Sequence, residues 1–89
     1  MHRKESIRLE ILTQCYGYRP HSRSAEMIVS LARREGEVKD LIANEVEVES
    51  DYCVGKQWLE VESFELSQGV KRWKITAAGV DFLERMGWV

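Results

Sequence analysis

The chain has one proline, two cysteines and no apolar run approaching the length of a membrane-spanning helix. Each scarcity excludes something. Cys15 and Cys53 stand far apart and form no Cys-x-x-Cys pair, so neither a zinc site nor a disulfide framework is indicated. A bridge between them would need two helices crossing within bonding distance. The short basic start His2-Arg3-Lys4-Glu5 is not followed by the apolar stretch of a signal peptide, which makes a cytoplasmic protein with no membrane contact the expectation. No repeat, low-complexity tract or interdomain linker interrupts the 89 residues, a length suited to one domain spanning 1–89 with a modest core.

Catalytic patterns are missing as well. There is no glycine-rich phosphate loop and no Ser-His-Asp or Cys-His arrangement, and His2 and His21 lack companions at metal-ligand spacing. An enzyme is not expected, nor a cofactor or metal. Glu45, Glu47 and Glu49 share one side if extended, but solvent-relieved repulsion explains them better than a hard cation does. Hydrophobic residues at 44% and charged residues at 31% are the mixture of an ordinary globular protein. Strong basicity is absent too: the formal charge is -2 and the pI near 5.7, which does not advertise nucleic acid.

What is present is helical periodicity, then strand chemistry. Lys4 to Tyr16 reads as an amphipathic helix with Ile7, Ile11 and Cys15 on one line, Leu12 and Tyr16 beside it, and Arg8 and Gln14 outward; Gly17 stops it. A loop through Pro20 follows. Ser24 caps a second helix to about Glu35, with Ala25, Ile28, Val29 and Ala32 inward and Gly36 as its stop. Residues 37–44 suggest a short helix through Val38, Leu41 and Ile42, although the second helix could equally extend through residue 44. Glu45-Val46-Glu47-Val48-Glu49 alternates strictly, the pattern of an extended piece or turn. Ser50 can cap a helix reaching about Glu62, with Gly55 as a weak point that close approach of another backbone would explain. Phe64-Glu65-Leu66, the turn residues Ser67-Gln68-Gly69 and Val70-Lys71-Arg72-Trp73-Lys74-Ile75 read as a two-stranded hairpin. Thr76 then caps a last helix carrying Ala78, Val80, Phe82, Leu83 and Met86, with Gly87 as its stop. Tyr52, Leu59, Phe64, Trp73, Ile75 and Phe82 are the expected shared core.

Val38-Lys39-Asp40-Leu41-Ile42 followed by Val48, Tyr52, Leu59 and Phe64 resembles the helix-turn-helix rhythm of winged-helix regulators. The tail Trp73-Lys74-Ile75-Thr76-Ala77-Ala78-Gly79 resembles the aromatic-x-aliphatic-Thr-x-x-Gly pattern that ends many such domains. Together these span about residues 37–84. Ile7-Arg8-Leu9-Glu10-Ile11-Leu12, Gly17-Tyr18 and Trp58-Leu59-Glu60 are similar, more loosely, to small winged-helix proteins of Mu-like prophages. Lys56, where the rhythm usually has an aliphatic residue, and Ser63, where glycine is usual, are departures that bear on helix register. The resemblance implies an α+β winged helix-turn-helix of four or five helices and a two-stranded wing, and a small phage-related DNA-binding protein in transcription regulation.

Charge is unevenly distributed. Residues 37–66 hold nine acids and two bases, a balance of −7, while the remainder carries +5. Acids facing a duplex oppose the phosphate neutralisation that drives DNA binding. On the expected recognition helix, Lys56 and Gln57 suit guanine and adenine edges, or are ordinary solvated residues. Lys71, Arg72 and Lys74 in the hairpin suit phosphates, or protect a strand edge from aggregation. Further cations at His2, Arg3, Lys4 and Arg8, at Arg19, His21 and Arg23, and at Arg33 and Arg34 could grip a backbone or form a soluble face. Two functions follow. One is double-stranded DNA binding. The other is a protein-interaction module whose acidic helix-turn-helix surface, with Trp58 or Trp88, meets a basic partner or a second copy as a homodimer.

Overall fold

The computed structural model describes residues 2–63 and 70–89. Among these, four helices and three strands follow in the order α1 (Arg3–Gly17), β1 (Arg23–Ser24), α2 (Ala25–Glu35), α3 (Ala43–Gly55), β2 (Leu59–Ser63), β3 (Lys71–Ile75) and α4 (Ala77–Arg85). The strands form one antiparallel sheet in the order β1-β3-β2, with Leu59 opposite Ile75 and Arg23 opposite Trp73. This is the α+β winged helix anticipated above, with a third strand, β1, that adds two residues to the hairpin. No helix among the described residues is long and apolar enough to cross a membrane.

The core follows from helical spacing. Ile7, Ile11, Leu12 and Cys15 of α1, Ile28, Val29 and Ala32 of α2, and Val46 and Cys53 of α3 are buried against Leu59, Trp73 and Leu83. Both cysteines are free and buried, and burial pushes each thiol up to about 12. Cys15 instead donates weakly from Sγ to the Trp73 carbonyl at 3.7 Å, joining α1 to the middle strand. The α2 cap is as expected, with Ser24 Oγ accepting from the Met27 N–H. Gly87, at φ 74, follows α4 in the left-handed region where glycine is favoured.

Several expectations are corrected by tertiary contacts. Residues 37–42 are not helical. Glu10, buried on α1, accepts from the backbone N–H of Glu37 at 2.8 Å and of Val38 at 3.3 Å, so a distant carboxylate satisfies donors that a helix turn would have left open. Gly36 makes room for this, since a Cβ there would strike Glu10 Oε1 and lie 2.7 Å from Ala32 Cα. Gln14, expected outward, is buried and donates to Glu10 and to the Ile28 carbonyl. Arg8, also expected outward, is half-buried against α3.

The largest correction is a shift of the helix that the sequence presents as the recognition helix. Glu45-Val46-Glu47-Val48-Glu49 is helical, Ser50 is a buried residue in the middle of α3 rather than a cap, and the helix ends at Gly55 instead of Glu62. Val46, Glu49, Ser50 and Cys53 form its inward face, a helical spacing that outweighs the local alternation. Gly55 therefore lies in the last turn and is exposed, with nothing within 4 Å of a built Cβ, so no close backbone approach explains it. Leu59 to Ser63 form the first hairpin strand. The expected strand at Phe64-Glu65-Leu66, its turn and the core role of Phe64 lie outside the described residues. Of the other five expected core residues, Leu59 and Trp73 are buried, Ile75 and Phe82 partly so, and Tyr52 is exposed.

Candidate nucleic-acid interface

The outward stripe of α3 is set by its inward one. With Val46, Ser50 and Cys53 in the core, helical spacing turns Asn44, Val48, Asp51 and Gly55 to the opposite side, with Glu47 beside them, and all five are exposed. No lysine or arginine belongs to α3. The hairpin lies next to this stripe: Lys71 Nζ, at the start of β3, is 3.9 Å from Asp51 Oδ1.

The five expected contact residues are divided among four places. Lys56 and Gln57 form the turn after α3. Lys56 is exposed, its Nζ 5.7 Å from the centre of the Tyr52 ring, while Gln57 has φ 67 and its carbonyl accepts from the Thr76 hydroxyl. Lys71 stands beside α3. Arg72 is half-buried and reaches the loop before β1, donating to Ser22 Oγ at 3.2 Å and to the Ser22 carbonyl at 2.9 Å. It also lies 3.5 Å from Met27 Sδ. Lys74 sits between Glu62 at 3.0 Å and Glu60 at 3.9 Å. Its hydrogen bond with Glu62 raises the Lys74 pKa and lowers that of Glu62, whose carboxylate also bonds Ser22.

Among the described residues, cations from α1 answer three acids of the middle segment, as Lys71 and Lys74 of β3 answer three more. Arg3 makes a two-bond contact with Glu45, both at 2.8 Å, and reaches Asp40 at 3.0 Å. These hydrogen bonds hold both carboxyls below their usual range and raise Arg3. Arg8 donates to the buried Glu49 at 2.8 Å while its guanidinium lies 3.5 Å over the Tyr52 ring. Among the described residues, Glu47 is the acid on α3 that has no ion pair. The local −7 is thus mostly compensated in three dimensions. Lys4, Arg33, Arg34 and Lys39 are exposed and make no ion pair with described residues, and Lys39 lies in the turn leading into α3. No three His, Cys, Asp or Glu side chains among the described residues converge as metal ligands would.

The Asn44-Val48 part of the α3 stripe was not visible in the sequence because the Glu-Val alternation hid the first half of the helix. Its signal was the Val46, Ser50, Cys53 spacing continuing through that alternation. The fold has a solved counterpart. A crystal structure of a PadR family transcription regulator from hypervirulent Clostridium difficile R20291 superposes with a TM-score of 0.67 over 89% of this chain and 82% of that one, at 22% sequence identity. No family model matches the sequence, and no curated protein does.

Proposed function

We propose that the chain is a small winged-helix regulator of phage or prophage origin that seats the outward face of α3 in the major groove of duplex DNA and lays the β2–β3 hairpin along the adjacent backbone. The observation that carries this is the uncovered α3 stripe beside Lys71, with the neighbouring acids Glu45 and Glu49 held by Arg3 and Arg8. Likeness of fold to a transcription regulator supports it. Asn44 suits the paired acceptor and donor of an adenine edge, and Val48 a thymine methyl. Lys71 and Lys39 reach phosphates on either side of α3, Lys56 and Gln57 flank its far end, and Arg72 and Lys74 hold the hairpin in place.

Fluorescence anisotropy with a labelled duplex tests the proposal. Binding should weaken steeply with salt, and Lys39→Ala with Lys71→Ala should weaken it for all sequences alike while lowering the salt slope by about 1 per lost phosphate contact. Asn44→Ala should instead narrow the difference between preferred and random duplexes. Absence of any duplex binding at low salt would sink the reading. The second reading, an interaction module for a basic protein partner, is favoured by one observation: Glu47 and Asp51 are the only charges on the outward stripe and both are acidic. It predicts Glu47→Lys weakens partner capture, whereas DNA binding predicts the same change tightens the duplex complex.

A further inference from the structure

Between α1 and α2 lies a groove of about 240 Å3 lined by Glu10, Thr13, Gln14, Arg23, Leu31 and Glu35. Gln14 is only 6% exposed, and its amide can stand only one way round. Its Nε2 donates to Glu10 Oε2 at 3.2 Å and to the Ile28 carbonyl at 3.0 Å, positions that an amide oxygen could not share with two acceptors. Oε1 is thereby left buried with no donor among the described residues. A buried carbonyl oxygen in that condition carries a cost that a bound N–H would remove.

The charges on the groove are open too. Glu10 is 9% exposed and accepts from Gln14 and from the backbone of Glu37 and Val38, yet no cation pairs with it among the described residues. Arg23 uses Nε on the Gln14 backbone carbonyl at 3.2 Å and lays its guanidinium 4.2 Å over the Tyr18 ring, which leaves its terminal N–H groups without an acceptor there. Glu10 and Arg23 are thus held by the two ends of Gln14, its side chain and its backbone, and do not pair with each other. Glu35 is exposed, so water and salt screen its charge. A carboxylate with an orphaned carbonyl beside it, and a guanidinium apart from both, suit a ligand that carries both signs of charge.

We propose that this groove binds a small zwitterionic ω-amino acid, its ammonium donating to Gln14 Oε1 and Glu10 and its carboxylate accepting from Arg23. A short alkyl stem against Leu31 joins the two, because the groups that receive them stand a glutamine's length apart. This does not depend on DNA binding, and its test contains no DNA. Titration of the full chain with γ-aminobutyrate, followed by NMR, should give a dissociation constant of about 1 mM or tighter, with shifts at the Gln14 side-chain amide and at Arg23, Glu37 and Val38. Butyrate, which lacks the ammonium, and butylamine, which lacks the carboxylate, should each bind at least about tenfold more weakly. Arg23→Met, which keeps a stem over Tyr18, should weaken γ-aminobutyrate about tenfold and leave butylamine where it was, a split that general loss of structure would not give. Glu10→Gln should weaken both amines; should that variant fail to fold, the Arg23 variant keeps the test decisive. Absence of shifts in the groove at about 20 mM γ-aminobutyrate overturns the proposal. So does butyrate or butylamine binding as tightly as γ-aminobutyrate, or Arg23→Met that leaves γ-aminobutyrate affinity unchanged.

Discussion

Two glycines on helices show how the same residue type answers to different surroundings. Gly79 lies in the first turn of α4, where its N–H donates to Thr76 Oγ1 at 3.0 Å, and Thr76 in turn hydrogen-bonds the Trp58 carbonyl through its backbone at 3.0 Å. A Cβ on Gly79 would strike the Trp58 carbonyl oxygen and come within 2.7 Å of Ile75 Cγ1. Gly79→Ala should therefore lower stability by about 1–3 kcal/mol, although alanine is the better helix former. Gly55→Ala, in open space at the end of α3, should raise it by up to about 1 kcal/mol. Urea unfolding of the two variants beside the parent chain checks both signs. The Thr-x-x-Gly pattern was legible in the sequence for this reason: cap and close approach are consecutive, local requirements. Gly36 was legible only as a helix stop. That it clears space for the Glu10 carboxylate depends on a contact across 26 residues of chain, which no local pattern carries.

At the scale of the element, the hairpin is held by its own cations. Arg72 binds Ser22 through its hydroxyl and carbonyl, and Glu62 of β2 bonds the same serine, so β2, β3 and the start of β1 meet at one residue. Arg72→Ala leaves the Ser22 carbonyl without this donor and should cost about 1–3 kcal/mol. Arg72→Lys should recover part of that loss, since an ammonium cannot place two donors in the guanidinium's fixed geometry. Thermal melts of both variants measure it. Strand β3 itself was readable from its β-branched and aromatic content, whereas β1, two residues long, has no pattern of its own and exists because β3 offers it an edge. In α3 the misleading feature was local. Val48, on the exposed side, completed an alternation that Val46, Ser50 and Cys53 contradict once the core claims them.

For the molecule as a whole, the Arg3 pairs with Asp40 and Glu45, together with the Lys74–Glu62 pair, make stability depend on pH on the acid side. Asp40 and Glu45 have ordinary pKa values of 3.8 and 4.5, and the Arg3 guanidinium lowers both in the folded chain. Because the folded values are depressed, the stabilisation is fully present above pH 4.5 and is lost as pH falls below 3.8 through the folded values. Arg3→Ala should flatten this acid-side dependence by lowering the neutral-pH melt slightly and leaving the acid limit unchanged, the difference being small because the cluster is exposed and salt-screened. Acid titration followed by circular dichroism, in low and high salt, would show it.

The sequence by itself determined the class of architecture: amphipathic helices, a β-rich hairpin strand and a Thr-capped last helix are set by periodicity and by side chains acting on their nearest backbone neighbours. It also set the uneven charge along the chain. Only the tertiary structure decided where α3 begins, which of its faces is uncovered, and how far the acids of the middle segment are neutralised. Those outcomes turn on Glu10, Arg3 and Arg8 reaching across from α1. Hydrogen bonds and ion pairs between residues distant along the chain form only when packing brings the helices together, and it is the burial of Val46, Ser50 and Cys53 in that packing that overrules the local alternation of valine and glutamate.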